Sequence, residues 1–318
     1  MKRNLPFLFS IFLSLALGVL SSSCTKDEAE PTFPLSASIF HSVVGKQVAF
    51  TALTHSAESW SWDFGDGNTS SEKNPVHIYE EGGYFIATLT AVDAKGNAVT
   101  KEVKLALDLT PYSLLTGDHT ATDYQGKTWK LTADHSTGGD YFANADADFS
   151  VVDGTPKPLP TGIFDLAFGM GDIYKDEFTF FFDGAYKHDV KADGASFGGL
   201  VFEFVSNGGA GIVNDNGADF GLCIAEYTPE TGATFEFNGN EDLTVPSVYG
   251  PGGNLTYEDV STLDFSGTEF IGFRDFQRKV IVNKITDTRM QLIMFMAASP
   301  DHLPLNTHAV ILTFEVVQ

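Results

Sequence analysis

Carboxylic acids are the most abundant side chains in this sequence that could take part in acid–base chemistry. Asp and Glu number 42, against 19 Lys and Arg. A retaining glycosidase needs two carboxylates about 5–5.5 Å apart. Asp176 and Glu177 are adjacent, so a strand would point them to opposite faces. Glu203 and Glu236 are single acids between phenylalanines, which predicts outward-facing positions on half-buried strands.

No other catalytic arrangement is readable in the chain. The three-acid strand motif E-x-D-x-x-E is absent, the eight histidines are scattered, and no Ser-His-Asp arrangement can be recognised. Cys223 lies in the apolar run 221–225, a context that predicts a buried small hydrophobe rather than a reactive thiol. The sequence therefore predicts a protein that is not an enzyme, with a glycoside hydrolase as the alternative.

A calcium loop is conceivable at Asn144-x-Asp146-x-Asp148, where three oxygen-bearing side chains alternate. The segment lacks the glycine that an EF-hand has at its sixth position. It also lacks the bidentate acid of the twelfth position, where Thr155 stands. We therefore expect a polar turn and no cofactor, with a structural Ca²⁺ as the alternative.

Aromatic side chains in loop-like contexts offer a second kind of chemistry, the binding of neutral sugars. Sugars present apolar C–H faces that stack on rings, and hydroxyls that pair with polar side chains at the rim. Each single aromatic could equally belong to a core. The candidate binding residues are Trp129, Tyr141, Phe142, Tyr249, Tyr257 and Arg274.

The charge balance limits the partners. A formal net charge of −23 repels nucleic acid and anionic lipid headgroups, so we expect neither as a partner. A neutral polysaccharide is compatible with this surface.

The first residues have the pattern of a secretory leader. Lys2 and Arg3 precede an apolar stretch over residues 5–20, and Ser22 and Ser23 precede Cys24. This order resembles a lipobox, although Ser21 stands where such boxes usually have leucine. It predicts a signal peptide over residues 1–23 and a lipid on Cys24, which would be the only contact with the membrane. A retained transmembrane helix and cleavage without lipidation are the alternatives.

A charged, proline-containing segment follows the cysteine over residues 24–33, which predicts a flexible tether. Its lysine followed by acids resembles the export signal of surface lipoproteins of Bacteroidota. The resemblance implies a lipid-anchored protein exposed on the outer face of the outer membrane.

Residues 34–107 alternate polar and apolar side chains between turn clusters, as short antiparallel strands do. Residues 60–67 read W-S-W-D-F-G-D-G, residues 75–79 read P-V-H-I-Y, and a G-Y-F strand starts at Gly83. These motifs closely resemble the polycystic kidney disease (PKD) domain family. The resemblance implies an immunoglobulin-like β-sandwich in which Trp62 is core and Asp63 and Asp66 shape a turn. Such domains are usually spacers or interaction modules.

Residues 108–118 read as a linker, and residues 119–318 again read as strands. Asp183-Gly184 predicts a type I′ hairpin turn, and residues 257–263 could form a short helix. The whole chain is therefore predicted to be all-β, with the second domain a larger β-sandwich or jelly roll and a lipocalin-like barrel as runner-up. Further strand candidates are residues 201–205, 234–237, 279–285, 290–296 and 309–317.

The second domain also resembles, through shorter segments, the C-terminal domains of PKD-bearing surface glycan-binding lipoproteins. The segments are G-K-T-W-K-L at 126–131, Y-K-D-E-F-T-F at 174–180 and F-I-G-F-R at 270–274. The resemblance implies binding of a polysaccharide, such as the β-glucan laminarin, and its presentation to a SusC/SusD-like outer-membrane complex. A structural or adhesive surface protein that binds another protein is the competing hypothesis.

Overall fold

The computed structural model describes residues 33–149 and 159–318. Cys24, the leader and all but the last residue of the predicted tether lie outside the described residues. No helix within the two described ranges is both long enough and apolar enough to cross a membrane. The strands of the first domain are β1 (Ser36–Val44), β2 (Gln47–His55), β3 (Ser59–Asp63), β4 (Thr69–Ser70), β5 (Val76–Ile78), β6 (Gly83–Val92) and β7 (Ala98–Leu107).

The first domain packs two antiparallel sheets face to face, with strand orders β1-β2-β5 and β4-β3-β6-β7. Alternate residues of each strand point into one core, where Trp62 is completely buried against Phe50. Asp63 accepts a hydrogen bond from the Gly65 N–H, and Asp66 accepts one from the Asn68 N–H. The predicted sandwich is confirmed, with the tryptophan in the core and the two acids shaping the turn.

The segment between the domains is a docked helix rather than an open linker. Helix α1 (Pro111–Thr116) starts with proline, and the Thr110 hydroxyl caps it by accepting from the Ser113 N–H. Leu115 and Thr116 are fully buried. The sequence showed Pro111 and Gly117 as linker residues, but these are also the start and end signals of a short helix.

Trp129 anchors this helix to the second domain. Its indole N–H donates to the carbonyl of Leu115 over 3.0 Å. The Lys127 ammonium donates to the carbonyl of Leu114 over 2.8 Å, and it lies over the Trp129 ring. Trp129 is 0% exposed, so its ring cannot contact a ligand. Its candidacy as a binding residue is therefore wrong.

The second domain combines a curled nine-stranded sheet with a three-stranded sheet. The large sheet has the order β11-β10-β8-β19-β18-β17-β16-β15, with β9 also paired to β19, and the small sheet has the order β12-β14-β13. The strands are β8 (Lys127–Leu131), β9 (Tyr141–Asn144), β10 (Glu177–Phe180), β11 (Tyr186–Asp189), β12 (Ala195–Gly199), β13 (Ile212–Asn214), β14 (Leu222–Glu226), β15 (Phe235–Pro246), β16 (Asn254–Phe265), β17 (Val280–Ile285), β18 (Arg289–Met296) and β19 (His308–Val316).

Short helical segments connect these strands. Helix α2 (His135–Gly138) and helix α3 (Leu200–Asn207) are the α-helices of the described part of this domain. Phe197 and Ile224 of the small sheet share the main core with Phe178 and Phe314 of the large sheet. The all-β class and the sandwich are confirmed. The single-turn segments are Ile163–Ala167 (π), Gly171–Tyr174, Ala218–Phe220, Pro251–Gly253 and Pro300–His302.

Three local predictions are wrong. Residues 201–205, predicted as a strand, lie in α3, because Gly208 adopts a left-handed conformation that ends a helix. Residues 257–263, proposed as a short helix, lie in β16, which pairs with β15 over most of its length. The hairpin at Asp183 is not type I′, because only Gly184 has a positive φ and Phe181 pairs with Ala185 around a three-residue loop.

Candidate functional site

The Arg274 cleft lies in the second domain between α3, the end of β14 and the segment 274–278, and its volume is about 430 Å³. This combination of ring faces with convergent polar groups is the usual composition of a small-ligand site. The cleft is lined by Phe202, Glu203, Ser206, Asn207, Glu226, Tyr227, Thr268, Arg274, Asp275, Phe276 and Arg278.

The residue before α3, Gly199 at the end of β12, is held against segment 274–278. The Gly199 N–H donates to the Arg274 carbonyl over 2.9 Å. A side chain at Gly199 would collide with Asp275, because an added Cβ would lie 2.1 Å from Asp275 Oδ2. Glycine at this position therefore allows the helix to approach the wall of the cleft.

Glu203 and Arg274 form a buried ion pair across the cleft. Arg274 Nε donates to Glu203 Oε1 over 3.0 Å, and Nη2 donates to the same oxygen. Glu203 is 1% exposed. Its predicted outward position on a strand is wrong, because α3 turns it inward toward the guanidinium. The pair fixes the arginine within the cleft.

Aromatic rings surround this guanidinium. The Arg274 Cζ atom lies 5.0 Å from the centroid of the Tyr227 ring and 5.7 Å from that of Phe202. Phe202 in turn packs edge-to-face on Phe276, with 5.1 Å between ring centroids. Tyr227 is buried and holds the cation in place, whereas Phe202 and Phe276 are half-buried and leave apolar surface at the cleft.

Arginine is concentrated at this cleft. The chain contains four arginines, Arg3, Arg274, Arg278 and Arg289, and two of them line the cleft four residues apart. Arg278 Nη1 donates to the carbonyl of Gly267, which holds its guanidinium at the rim. The two guanidinium groups provide hydrogen-bond donors at the cleft, in a chain whose charged side chains are mostly acids.

Asp275 lies against the floor of the cleft and is almost fully buried. Its Oδ1 accepts from the N–H groups of Phe276 and Ala297, whereas Oδ2 has no hydrogen-bond partner in the protein. Burial raises the pKa of this carboxyl to about 7.

A buried acid–histidine cluster lies behind the Tyr227 wall. His188 Nδ1 is 3.5 Å from Glu269, and Nε2 is 3.9 Å from Asp176. Burial alone would lower the pKa of His188, but the two carboxylates outweigh it and raise that pKa. The Ser196 hydroxyl donates to Asp176 over 2.6 Å. The sequence did not reveal this cluster, because its members are far apart in the chain.

The remaining predicted binding residues are not brought together. Tyr141 and Tyr257 pack against the core on the other face of the large sheet, and Phe142 packs against the main core. The Tyr257 hydroxyl donates to the Ala145 carbonyl. Tyr249 is exposed in the loop after β15, away from the cleft. Of the predicted set, only Arg274 lies in the cleft, and the other candidates lie elsewhere.

The proposed calcium loop follows β9. Asn144 ends that strand and pairs with His308, and Asp146 and Asp148 lie in the exposed turn after it. Within residues 33–149 and 159–318, no group of three or more His, Cys, Asp or Glu side chains has metal-binding geometry. Cys223 is buried as expected, and burial raises the pKa of its thiol to about 12.

Comparison with protein families identifies the first domain. Residues 40–107 match the model of the PKD domain. Together with the two-sheet sandwich and the buried Trp62, this match shows that the first domain is a PKD domain.

Two curated relatives, a collagenase and a metalloprotease, match short stretches of the sequence. Collagenase ColA of Bacillus cereus is 40% identical over 53 residues, which is 17% of this chain and 6% of the collagenase. The pre-pro-metalloprotease PrtV of Vibrio cholerae is 41% identical over 56 residues, 18% of this chain and 6% of that protein. The chain thus spans a small fraction of the length of these relatives.

Solved structures give two further likenesses. The PKD1 domain of Vibrio anguillarum Epp is 28% identical and covers 25% of this chain and 99% of its own, with a TM-score of 0.23. A carbohydrate-binding module of the β-sandwich superfamily covers 90% of this chain and 93% of its own at 13% identity, with a TM-score of 0.26. Neither superposition is close enough to assign a ligand.

Proposed function

We propose that the chain is a non-catalytic surface lipoprotein that binds a neutral polysaccharide in the Arg274 cleft. The observation that carries the proposal is the cleft itself, in which the half-buried rings of Phe202 and Phe276 lie beside a guanidinium that Phe202 and Tyr227 flank. Rings stack on the apolar faces of sugars, and the cleft side chains that are not buried, those of Asn207, Glu226 and Arg278, can pair with hydroxyl groups.

The charges at the cleft favour an uncharged ligand. Arg274 is neutralised by Glu203, and Glu226 also lines the cleft near both arginines. The surrounding chain carries a net charge of −23, which opposes polyanions. A neutral glycan is not repelled by the negative charge of the chain, and it does not need an unpaired arginine.

The acids of the cleft are poorly placed for glycoside hydrolysis. Glu203 is held by Arg274, and Asp275 receives two backbone N–H groups on Oδ1. A hydrolase needs one carboxyl to donate a proton and another to attack or to activate water. Glu203 and Asp275 are also buried, which leaves Glu226 as the exposed acid among the residues that line the cleft. One accessible carboxyl supports binding rather than bond cleavage.

The proposal includes a location on the cell surface. The leader, Cys24 and the charged segment after it support a lipid anchor on the outer face of the outer membrane. A β-glucan such as laminarin is the favoured ligand, and a SusC/SusD-like complex is the proposed acceptor of the captured chain. The PKD domain would then act as the spacer.

Affinity electrophoresis against laminarin and other neutral polysaccharides tests this function. We expect retardation of the wild-type protein by one of them and a large loss of retardation in Phe202→Ala and Arg278→Gln. Phe220→Ala is the matched control, because Phe220 is exposed and lies outside the cleft. Absence of retardation by every polysaccharide would overturn the proposal. Release of reducing ends would indicate an enzyme instead.

A second candidate function, binding of another protein, is favoured by one feature of the PKD domain. The outer face of the sheet β1-β2-β5 exposes Phe40, Val44, Leu53, Val76 and Ile78. Exposed apolar patches often mark protein contacts. Recovery of a specific partner from outer-membrane extract in the absence of glycan, lost in a Phe40→Ser/Ile78→Ser variant, would support it.

A further inference from the structure

A groove of about 970 Å³ separates the PKD domain from the second domain. Its two walls differ in chemistry. Tyr112, Phe182 and Phe237 form an aromatic wall that belongs to α1 and the second domain. Asp66 and Asn68 of the PKD turn are part of a polar wall opposite.

Phe182 is an exposed ring on a fixed backbone. Its side chain is 40% exposed, although phenylalanine is usually buried. The Phe182 N–H donates to the Tyr124 hydroxyl over 2.8 Å, and its carbonyl accepts from the Tyr112 hydroxyl over 2.8 Å. His119 stacks on the ring with 3.6 Å between centroids and a 9° interplanar angle. The ring is thus held in place before any ligand arrives.

The opposite wall offers hydrogen-bond acceptors. Glu80 and Glu81 line it beside Asn68. The Asp66 carboxylate is already occupied by His77 Nε2 at 2.6 Å and by the Asn68 N–H. Both glutamates are exposed, so hydroxyl groups can reach them. These acids repel an anionic ligand. A pyranose chain fits the combination, because one face of each sugar can stack on a ring while its hydroxyls donate to the acids.

The docked helix α1 keeps the two walls together. Ser113 of the helix lies beside Gly83 of β6, since a Cβ added at Gly83 would lie 3.4 Å from the Ser113 hydroxyl oxygen. On the other side, Trp129 holds Leu115. The groove is therefore a property of both domains and the helix between them.

We propose that this interdomain groove is a second binding subsite for the same neutral polysaccharide, with Phe182 as its stacking platform. This inference rests on the proposed function. Two subsites on one rigid chain raise the affinity for a long polymer, because the second contact forms intramolecularly at a high effective concentration. The PKD domain then contributes to the ligand site in addition to acting as a spacer.

Stoichiometry of short-ligand binding tests the subsite. Laminarihexaose is the first probe in isothermal titration calorimetry, followed by the hexasaccharide of whichever polysaccharide retards the wild-type protein. We expect two sites per wild-type chain and one in each of Phe182→Ala and Phe202→Ala. Affinity for the long polymer should fall roughly 10²-fold or more in either variant. Phe182→Leu keeps the backbone hydrogen bonds and side-chain bulk, and it should also show one site; Phe220→Ala should keep two.

The other possible stoichiometries distinguish the groove from the Arg274 cleft. One site in the wild type, unchanged by Phe182→Leu, overturns the groove and leaves the Arg274 cleft. If the wild type has one site, and that site is lost in Phe182→Leu but kept in Phe202→Ala, the groove is the binding site and the proposed site in the Arg274 cleft is overturned. No binding of any glycan by the wild type overturns the proposed function, and this inference with it.

Discussion

At the scale of single residues, the cleft depends on a charge pair that is costly to break. Glu203 is almost fully buried, and Arg274 is its partner. Removing one member of such a pair leaves an uncompensated buried charge, which typically costs about 3–5 kcal/mol.

We therefore expect Arg274→Met to lower the free energy of unfolding by about 3–5 kcal/mol in urea denaturation. The double variant Glu203→Gln/Arg274→Met should recover much of this loss, because it contains no unpaired charge. Equal stability of Arg274→Met and the wild type would contradict the importance of the pair.

Asp275 predicts a pH dependence of opposite sign to that of an ordinary surface carboxylate. Its pKa is raised from 3.8 to about 7, so between these values the folded protein binds more protons at this group than the unfolded chain. The contribution of Asp275 to stability is therefore complete below pH 4 and falls as pH rises to 7, by up to about 1.4 kcal/mol per pH unit.

Chemical denaturation of the wild type and Asp275→Asn at pH 5 and pH 7 measures this contribution. The wild type should lose stability relative to Asp275→Asn as the pH rises, because asparagine cannot ionise. A constant difference between the two proteins would contradict the raised pKa. The other shifted groups, His188 and Asp176 among them, are present in both proteins and cancel.

At the scale of elements, α3 needs glycine where it meets the cleft. A Cβ at Gly199 would lie 2.1 Å from Asp275 Oδ2, so backbone or side chain must move. We expect Gly199→Ala to cost about 1–3 kcal/mol and to weaken glycan binding. Gly239→Ala is the control for stability, since its Cβ would meet its nearest neighbour at an ordinary 3.7 Å. Thermal unfolding of both variants checks this difference.

The same elements show what could be predicted from sequence. The PKD domain was predictable because W-D-F-G-D-G and P-x-H-x-Y specify a turn and its neighbouring strands locally. The helix at residues 201–205 was not predictable, because V-F-E-F-V alternates as a strand does. Its conformation depends on Gly199, Gly208 and the distant Arg274. The sequence identifies Arg274 as a candidate, but no local pattern indicates that Phe202 and Tyr227 lie beside it in the fold.

At the scale of the whole molecule, Trp129 is expected to control how firmly the domains are joined. Its indole N–H satisfies the Leu115 carbonyl at the end of α1. We expect Trp129→Phe to leave that carbonyl without a partner and to cost roughly 1–3 kcal/mol. Limited proteolysis should then cut within residues 108–118, whereas we expect this segment of the wild type to resist cleavage. Resistance of Trp129→Phe equal to that of the wild type would contradict the anchoring role.

The anchored helix α1 also has a mechanical consequence. Under the proposed function, a polymer held by the second domain and pulled from outside would transmit tension to the PKD domain through β7 and α1. Because Leu115 and Thr116 are buried and hydrogen bonds tie the helix to Lys127 and Trp129, the junction contains little slack. We therefore expect the two domains to bear load as one body, without extension at the junction between them.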